Sequence, residues 1–261
     1  DLYLQISSMG NEKPDIVEGN DLPDFNPDDE YLQEIKSPIF YAVQKNINIQ
    51  TGQPTILDFD MQRISQRINI VFNIRTEGNI KREDLAAPII ELSGACGRFN
   101  IADACLDTTR LYRMAHQVQP DEFTQTGEGT YRCVVHFHTL GVIPSAAKGH
   151  LNGPGILQVA LQVSTPQLDS SGAPVVDEEG NPVKNSRYIY GAINPYDELT
   201  AAQLIEVRDG KIYLRYSKED VNIEITTPLV IKADQIVPND TGMGWQPHDP
   251  TNPDDDIIIE I

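Results

Sequence analysis

Residues 64–76 constrain this chain more than any other stretch. Ile64, Ile68, Ile70, Phe72 and Ile74 share one parity, while Ser65, Arg67, Asn69, Asn73 and Arg75 take the other. A repeat of two is the signature of a strand with one face buried and one face wet. Val71 falls among the polar residues, so part of the second face is covered too. Any fold for this chain must bury one side of a long strand here. The sequence before residue 58 is acidic and broken by Pro and Gly, whereas the sequence after Thr76 settles into spaced strand candidates.

Taken in order, the first strand candidate is Leu2–Ile6, followed by a turn signal at 9–14. Residues 19–34 are rich in Asp, Asn and Pro and read as a surface loop. Pro38–Ile49 and the stretch from Thr55 flank the tight turn 51–54, which predicts a hairpin. Further strands are expected at 88–92, 130–140, 155–164, 187–193, 221–225 and 229–232, and residues 109–116 fit a strand or a helical turn. Leu168–Val183 contains two similar units, LDSSGAPV and VDEEGNPV, each a turn between apolar ends. Two units are too few to stack as a solenoid, so they form a hairpin tip or an insertion. One short helix is expected at 197–205, with Thr200 as its N-cap. Asp209-Gly210 between two apolar runs signals a hairpin. Many short strands and one helix predict an all-β sandwich; an α/β fold would need several amphipathic helices.

The charge narrows the function. With 39 acidic residues against 20 basic ones, the net charge is −19. There is no basic patch to displace counterions from a phosphate backbone, so nucleic acid is excluded as a partner. An anionic membrane surface is disfavoured for the same reason, and no run of about 18 apolar residues is present to span a bilayer. The chain starts at Asp1, with neither Met nor a signal peptide, and is read as processed or trimmed.

Candidate chemical sites are few. Cys96, Cys105 and Cys133 are an odd set without a CxxC. Cys96 and Cys105 are near enough in sequence to pair, and buried free thiols are the preferred alternative. His136 and His138 lie two apart on one strand face, a usable metal-ligand spacing, but no carboxylate sits at a spacing that completes a site. Calcium could draw on the acidic loop 19–34 or on Asp254, Asp255 and Asp256; neither has the DxDxDG spacing, and a solvated acidic run is the preferred reading. No GxSxG elbow and no phosphate-binding loop occurs. Tyr188, Tyr190, Tyr196, Tyr213, Tyr216 and Trp245 could line a sugar platform, though strand tyrosines more often pack a core or a sheet rim. No catalytic set and no cofactor is expected.

Four features together carry a family resemblance. They are the run from Leu57 to Phe72, the segment Glu91-Leu-Ser-Gly-Ala, the strand Tyr131–Leu140, and the tail from Val237 through Trp245 to Ile261. The chain resembles the fimbrillin-like proteins of Bacteroides and related anaerobes, the subunits and accessory proteins of type V pili. It departs from that pattern at the front, where the family's lipoprotein signal and early strands have no counterpart. The resemblance implies tandem transthyretin-like β-sandwich domains, mostly antiparallel, divided here as 1–64 and 65–261, the first lacking its opening strands. Arg63 to Ile74 would then lead from one domain into the next. It implies a non-enzymatic protein exported to the cell surface or outer membrane, lipid-anchored, whose partners are other fimbrial subunits joined by strand addition, with host or bacterial surface ligands as a further class. Ile257, Ile258, Ile259 and Ile261 would form an edge strand or one available for donation. The alternative from the residues themselves is a carbohydrate-binding surface lipoprotein of a polysaccharide-utilisation system.

Overall fold

A computed structural model describes residues 2–8, 30–78, 80–216, 218–233 and 235–248. The early strands are β1 (Tyr3–Gln5), β2 (Phe40–Tyr41), β3 (Gln62–Arg63), β4 (Gln66–Glu77) and β5 (Ile89–Asn100). The middle of the chain gives β6 (Cys105–Gln117), β7 (Phe123–Gly127), β8 (Thr130–Thr139), β9 (Leu157–Pro166) and β10 (Lys184–Ile193). After helix α1 (Tyr196–Ala202) come β11 (Ile205–Arg208), β12 (Lys211–Leu214), β13 (Asp220–Lys232), β14 (Gln235–Ile236) and β15 (Gln246–Pro247). The chain is an all-β sandwich. One sheet runs β11-β12-β6-β5-β9-β10-β15, with β1 added to the far end of β5; the other runs β14-β13-β4-β8-β7; β2 and β3 pair separately. The ladders are antiparallel except that of β4 with β13, which is parallel.

The central strand behaves as its alternation requires. Ile68, Ile70, Phe72 and Ile74 are fully buried, while Arg67 and Arg75 are exposed. Register places Ile68, Ile70, Phe72 and Ile74 opposite Phe137, Val135, Cys133 and Tyr131 of β8. On its other side, Val221, Ile223 and Ile225 of β13 face Ile68, Ile70 and Phe72. Three strands thus present matched apolar rows, and a slip of one residue would turn any of them to water. Ile90, Leu92, Met114, Val159, Leu161 and Ile189 close the core from the first sheet.

A second, smaller core gathers Ile35, Ile64, Cys96, Phe99, Leu106, Leu140 and Leu214. Buried residues before Gln66 belong to these same cores. Leu32 lies in the main one, Ile35 and Ile64 in the second, and β1 pairs with the end of β5.

Several local expectations change. The stretch 109–116 is strand, being part of β6. The expected strands at 221–225 and 229–232 are one, β13, with an irregularity between Ile225 and Leu229. Helix α1 begins four residues before Thr200, with Pro195 at its N-cap and Asp197 and Glu198 in its first turn, where the helix dipole favours acids. The hairpin expected over 38–63 is paired only at its base, Phe40 with Arg63 and Tyr41 with Gln62. Farther out, Asn46 at φ 59 leaves the extended region. The Asp209-Gly210 turn forms as expected, both residues at positive φ. The repeat at 168–183 is a pair of equivalent turns: Gly172 N–H donates to Asp169 O, and Gly180 N–H to Asp177 O, at 3.0 and 3.1 Å. Among the described residues no helix is long and apolar enough to cross a membrane.

Candidate interaction surface

The histidines of β8 do not share a site. His138 is buried, with Nε2 3.0 Å from Ser65 Oγ and 3.5 Å from Arg63 Nη2. Burial and the Arg63 charge hold its pKa below the ordinary histidine value. His136 Nδ1 lies 2.6 Å from Asn69 Oδ1, and its Nε2 lies 3.5 Å from Glu122 Oε1. The other Glu122 oxygen meets His116 Nε2 at 2.9 Å. Burial opposes ionisation of Glu122, but the Gln119 N–H and His116 outweigh it and bring the carboxyl below the usual range. Beside these groups is a cavity of about 180 Å³ bounded by Leu32, Lys36, Met114 and Phe137. Among the described residues no group of three His, Cys, Asp or Glu is placed to hold a metal ion.

The six aromatic residues do not converge either. Trp245 is 1% exposed, its ring 5.1 Å from Phe72 and its Nε1–H donating to Thr227 O at 3.1 Å, so it is a core residue. Tyr188 and Tyr190 stack on the outer face of β10, with centroids 6.3 Å apart and planes 29° apart. Tyr213 lies on β12 under the Arg208 guanidinium, 4.2 Å away. Four strand spacings separate β12 from β10 in that sheet, about 19 Å, too far for one platform. The three cysteines are free and buried. Burial pushes the Cys96 thiol up to about 12, so it stays protonated and inert.

The outer face of the first sheet holds a polar cluster that sequence reasoning missed. Glu91 and Arg113 face one another at 3.7 Å, both buried. The Tyr31 hydroxyl donates to Glu91 Oε1 at 2.7 Å, Arg113 donates to Gln158, and Gln158 Nε2 lies 3.0 Å from His248 Nε2. Backbone bonds reinforce it: Leu32 N–H donates to Arg113 O, and Arg113 N–H to Glu30 O. This charged pair docks the 30–32 segment onto the sheet. Its signal in the sequence was the parity of β5, where Glu91 and Ser93 alternate with Ile90 and Leu92.

Among the described residues the largest apolar exposure is an arm at 40–61, running from β2 to β3. Of the thirteen large apolar side chains exposed among the described residues, eight lie in it. Ile49 is 76% exposed, Ile56 82% and Phe59 52%. Contiguous apolar exposure of this kind marks an interaction site, unlike scattered single residues. Beyond its base, the arm's one backbone bond among the described residues runs from Gln53 N–H to Gln50 O at 3.4 Å, a turn at its tip. The base is fixed. The Tyr41 hydroxyl donates to Ile101 O at 2.7 Å, and its ring meets Phe99 edge-on at 5.3 Å. Ile64 N–H donates to Ile39 O, Ile39 N–H to Ser65 Oγ, and Arg63 reaches Asp220 at 3.5 Å. The sequence signal is the alternation Leu57-Asp58-Phe59-Asp60-Met61, which has the pattern of a strand but, among the described residues, no partner in the sheets. Ile257, Ile258, Ile259 and Ile261, expected as an assembly strand, lie outside the described residues, as do Asp254, Asp255, Asp256 and residues 19–29 of the acidic loop.

No family model matches the sequence, and no curated protein matches it. Among solved structures the chain is similar to a "putative adhesin" from Bacteroides ovatus, at 11% identity and a TM-score of 0.36. The match covers 87% of this chain and 65% of that protein. So distant a likeness leaves the function to be argued from the molecule itself.

Proposed function

We propose that this chain is a structural, non-enzymatic protein of a bacterial cell surface, a fimbrial subunit, tip or anchor that joins other subunits by β-strand addition. The observation that carries the reading is the arm: strand-like alternation, exposed apolar side chains and, among the described residues, no ladder beyond its anchored base. Such a segment is a template for another chain. The acidic surface suits an exposed, soluble module. Ile257–Ile261 remains the second candidate element for assembly, and a lipid anchor would belong to a segment preceding Asp1.

The test is to replace Ile49, Ile56 and Phe59 with Ser, separately from deleting residues 257–261. Exposed positions leave the far-ultraviolet spectrum and the melting temperature unchanged, within about 0.5 kcal/mol per site. Association with other fimbrial subunits is lost in at least one of the two variants. Association unchanged in both would sink the reading.

A carbohydrate-binding module is the second reading, favoured only by the stacked Tyr188–Tyr190 pair. It requires saturable binding on a glycan array that disappears with Tyr188→Ala, and a flat array removes it.

A further inference from the structure

We propose that the occupant of the arm is the arm of a second copy of this chain, the two copies exchanging limbs about a twofold axis. The inference rests on the assembly reading and specifies its partner.

Three observations lead to it. The first is the arm's own register. Carried outward from Phe40–Arg63 and Tyr41–Gln62, that register would set Lys45 opposite Asp58 and Ile47 opposite Ile56. Val43, Ile47 and Ile49 would then line one face of the ribbon, and Leu57, Phe59 and Met61 the other. A hairpin zipped on itself would leave an apolar row on each face and bury neither. A lone two-stranded ribbon is marginal in water at best. The ladder of the arm accordingly ends at the Tyr41–Gln62 pair.

The second observation is charge. The charged residues between Phe40 and Met61 are Lys45, Asp58 and Asp60, so the arm carries −1 of the chain's −19. A contact between copies through the arm therefore brings together little of the chain's negative charge, and self-repulsion there is weak.

The third is self-complementarity. The first limb carries the cation and the second carries both carboxylates. When the first limb of one copy lies beside the second limb of its mate, Lys45 meets Asp58 and Asp60 twice, once in each direction. That is the requirement of an isologous twofold contact, in which one patch must match itself. The apolar rows of the two arms then cover one another.

Charge reversal tests the arrangement. Full-length chain is followed by light scattering and sedimentation across a concentration series up to about 1 mM, a range that detects even weak dimers. Wild type shows a concentration-dependent dimer. Lys45→Asp makes both limbs acidic, and the double variant Asp58→Lys, Asp60→Lys makes both limbs basic. Each alone weakens the dimer by about tenfold or more through like-charge repulsion. An equimolar mixture of the two variants restores it as a heterodimer, because each acidic limb finds a basic one. Pairing within a single arm is disrupted in both variants and is not restored by mixing, so the mixture reads the contact between copies. Circular dichroism checks that both variants fold.

A monomeric wild type, a dimer indifferent to both charge variants, or a mixture that stays monomeric overturns the exchange. If the wild type is monomeric but Ser at Ile49, Ile56 and Phe59 abolishes binding to a different fimbrial subunit, the twofold exchange fails and the assembly reading survives. If neither the arm variants nor deletion of 257–261 changes any association, both fail.

Discussion

Gly94→Ala should cost this protein much more than Gly78→Ala, and the difference isolates one structural cause. Both glycines have positive φ, +83° and +86°, so Ala pays at each site the penalty of a left-handed backbone, about 1–2 kcal/mol. Around Gly78 a new Cβ meets nothing within 4 Å. At Gly94 it would lie 2.6 Å from Ile143 O, 2.7 Å from Gly155 N and 2.9 Å from Pro154 Cβ. Two of those atoms are backbone and cannot rotate away. Gly94 also sits in the irregularity of β5 between Leu92 and Ala95, where Ile143 N–H donates to Gly94 O at 2.9 Å. The 142–155 loop must therefore move away from β5. Overpacking of that kind costs about 1–3 kcal/mol, giving a total of about 2–5 kcal/mol for Gly94→Ala against 1–2 for Gly78→Ala. Urea unfolding of both variants checks it, with a shift in midpoint at constant slope. For a chain of this size each kcal/mol lowers the melting temperature by about 2–4 °C. Equal destabilisation of the two variants would refute the steric argument and leave only the backbone penalty.

Further expectations concern the core and the titrating groups. Phe72→Ala, at a fully buried position against Trp245, should cost about 3–5 kcal/mol by the same unfolding assay. His138 has a folded pKa below its ordinary 6.5, so the unfolded chain binds the proton more readily. Stability is therefore lost as pH falls below 6.5 towards the folded value, and His138→Asn should flatten the urea midpoint between about pH 7 and pH 5. Glu122 has the opposite chemistry but the same sign. Its depressed carboxyl stabilises the fold above the unfolded value of 4.5, and that contribution disappears as pH falls through the folded value. Glu122→Gln should be less stable than wild type near neutral pH, the two curves converging in acid.

The strands legible in the sequence were those whose apolar rows have a clean period. Residues 66–77 and 130–139 were read from alternation alone, because each has one face in the core and one towards water. The turn at Asp209-Gly210 was read from residues that accept positive φ. Leu32 and Ile35 were not legible, since isolated apolar residues in an acidic stretch carry no period, and their burial depends on a sheet built 60 residues or more downstream. The parallel pairing of β4 with β13 joins residues about 150 apart, and alternation does not say which strand lies beside which. Trp245 read as a platform candidate because a tryptophan among Pro, Gly and Asp resembles a displayed one, whereas the ring is enclosed against Phe72 and the indole N–H is satisfied within the fold. At the arm the expected hairpin forms only at its base, for a physical reason. Carried outward, the register places the two apolar rows on opposite faces, where pairing within the arm buries neither.

The arm's base and tip should respond differently to substitution. Tyr41 is tied to the sandwich by its hydroxyl bond to Ile101 O and its ring contact with Phe99, and Phe99 belongs to the second core. Tyr41→Phe removes one hydrogen bond and should lower stability by about 0.5–1.5 kcal/mol. It leaves the tip's apolar rows intact, so association should weaken only as far as the arm's orientation loosens. Phe59→Ser does the reverse: the side chain is half exposed and outside both cores, so the unfolding midpoint should hold while association falls. The two variants, each measured for midpoint and for association, form a crossed test. If Phe59→Ser lowered stability as much as Tyr41→Phe, the tip would be packed against its own sandwich in solution, and an arm held out for a partner would be the wrong description. If it left both quantities untouched, the apolar rows would have no occupant. Only loss of association without loss of stability fits a segment whose burial is completed by another chain.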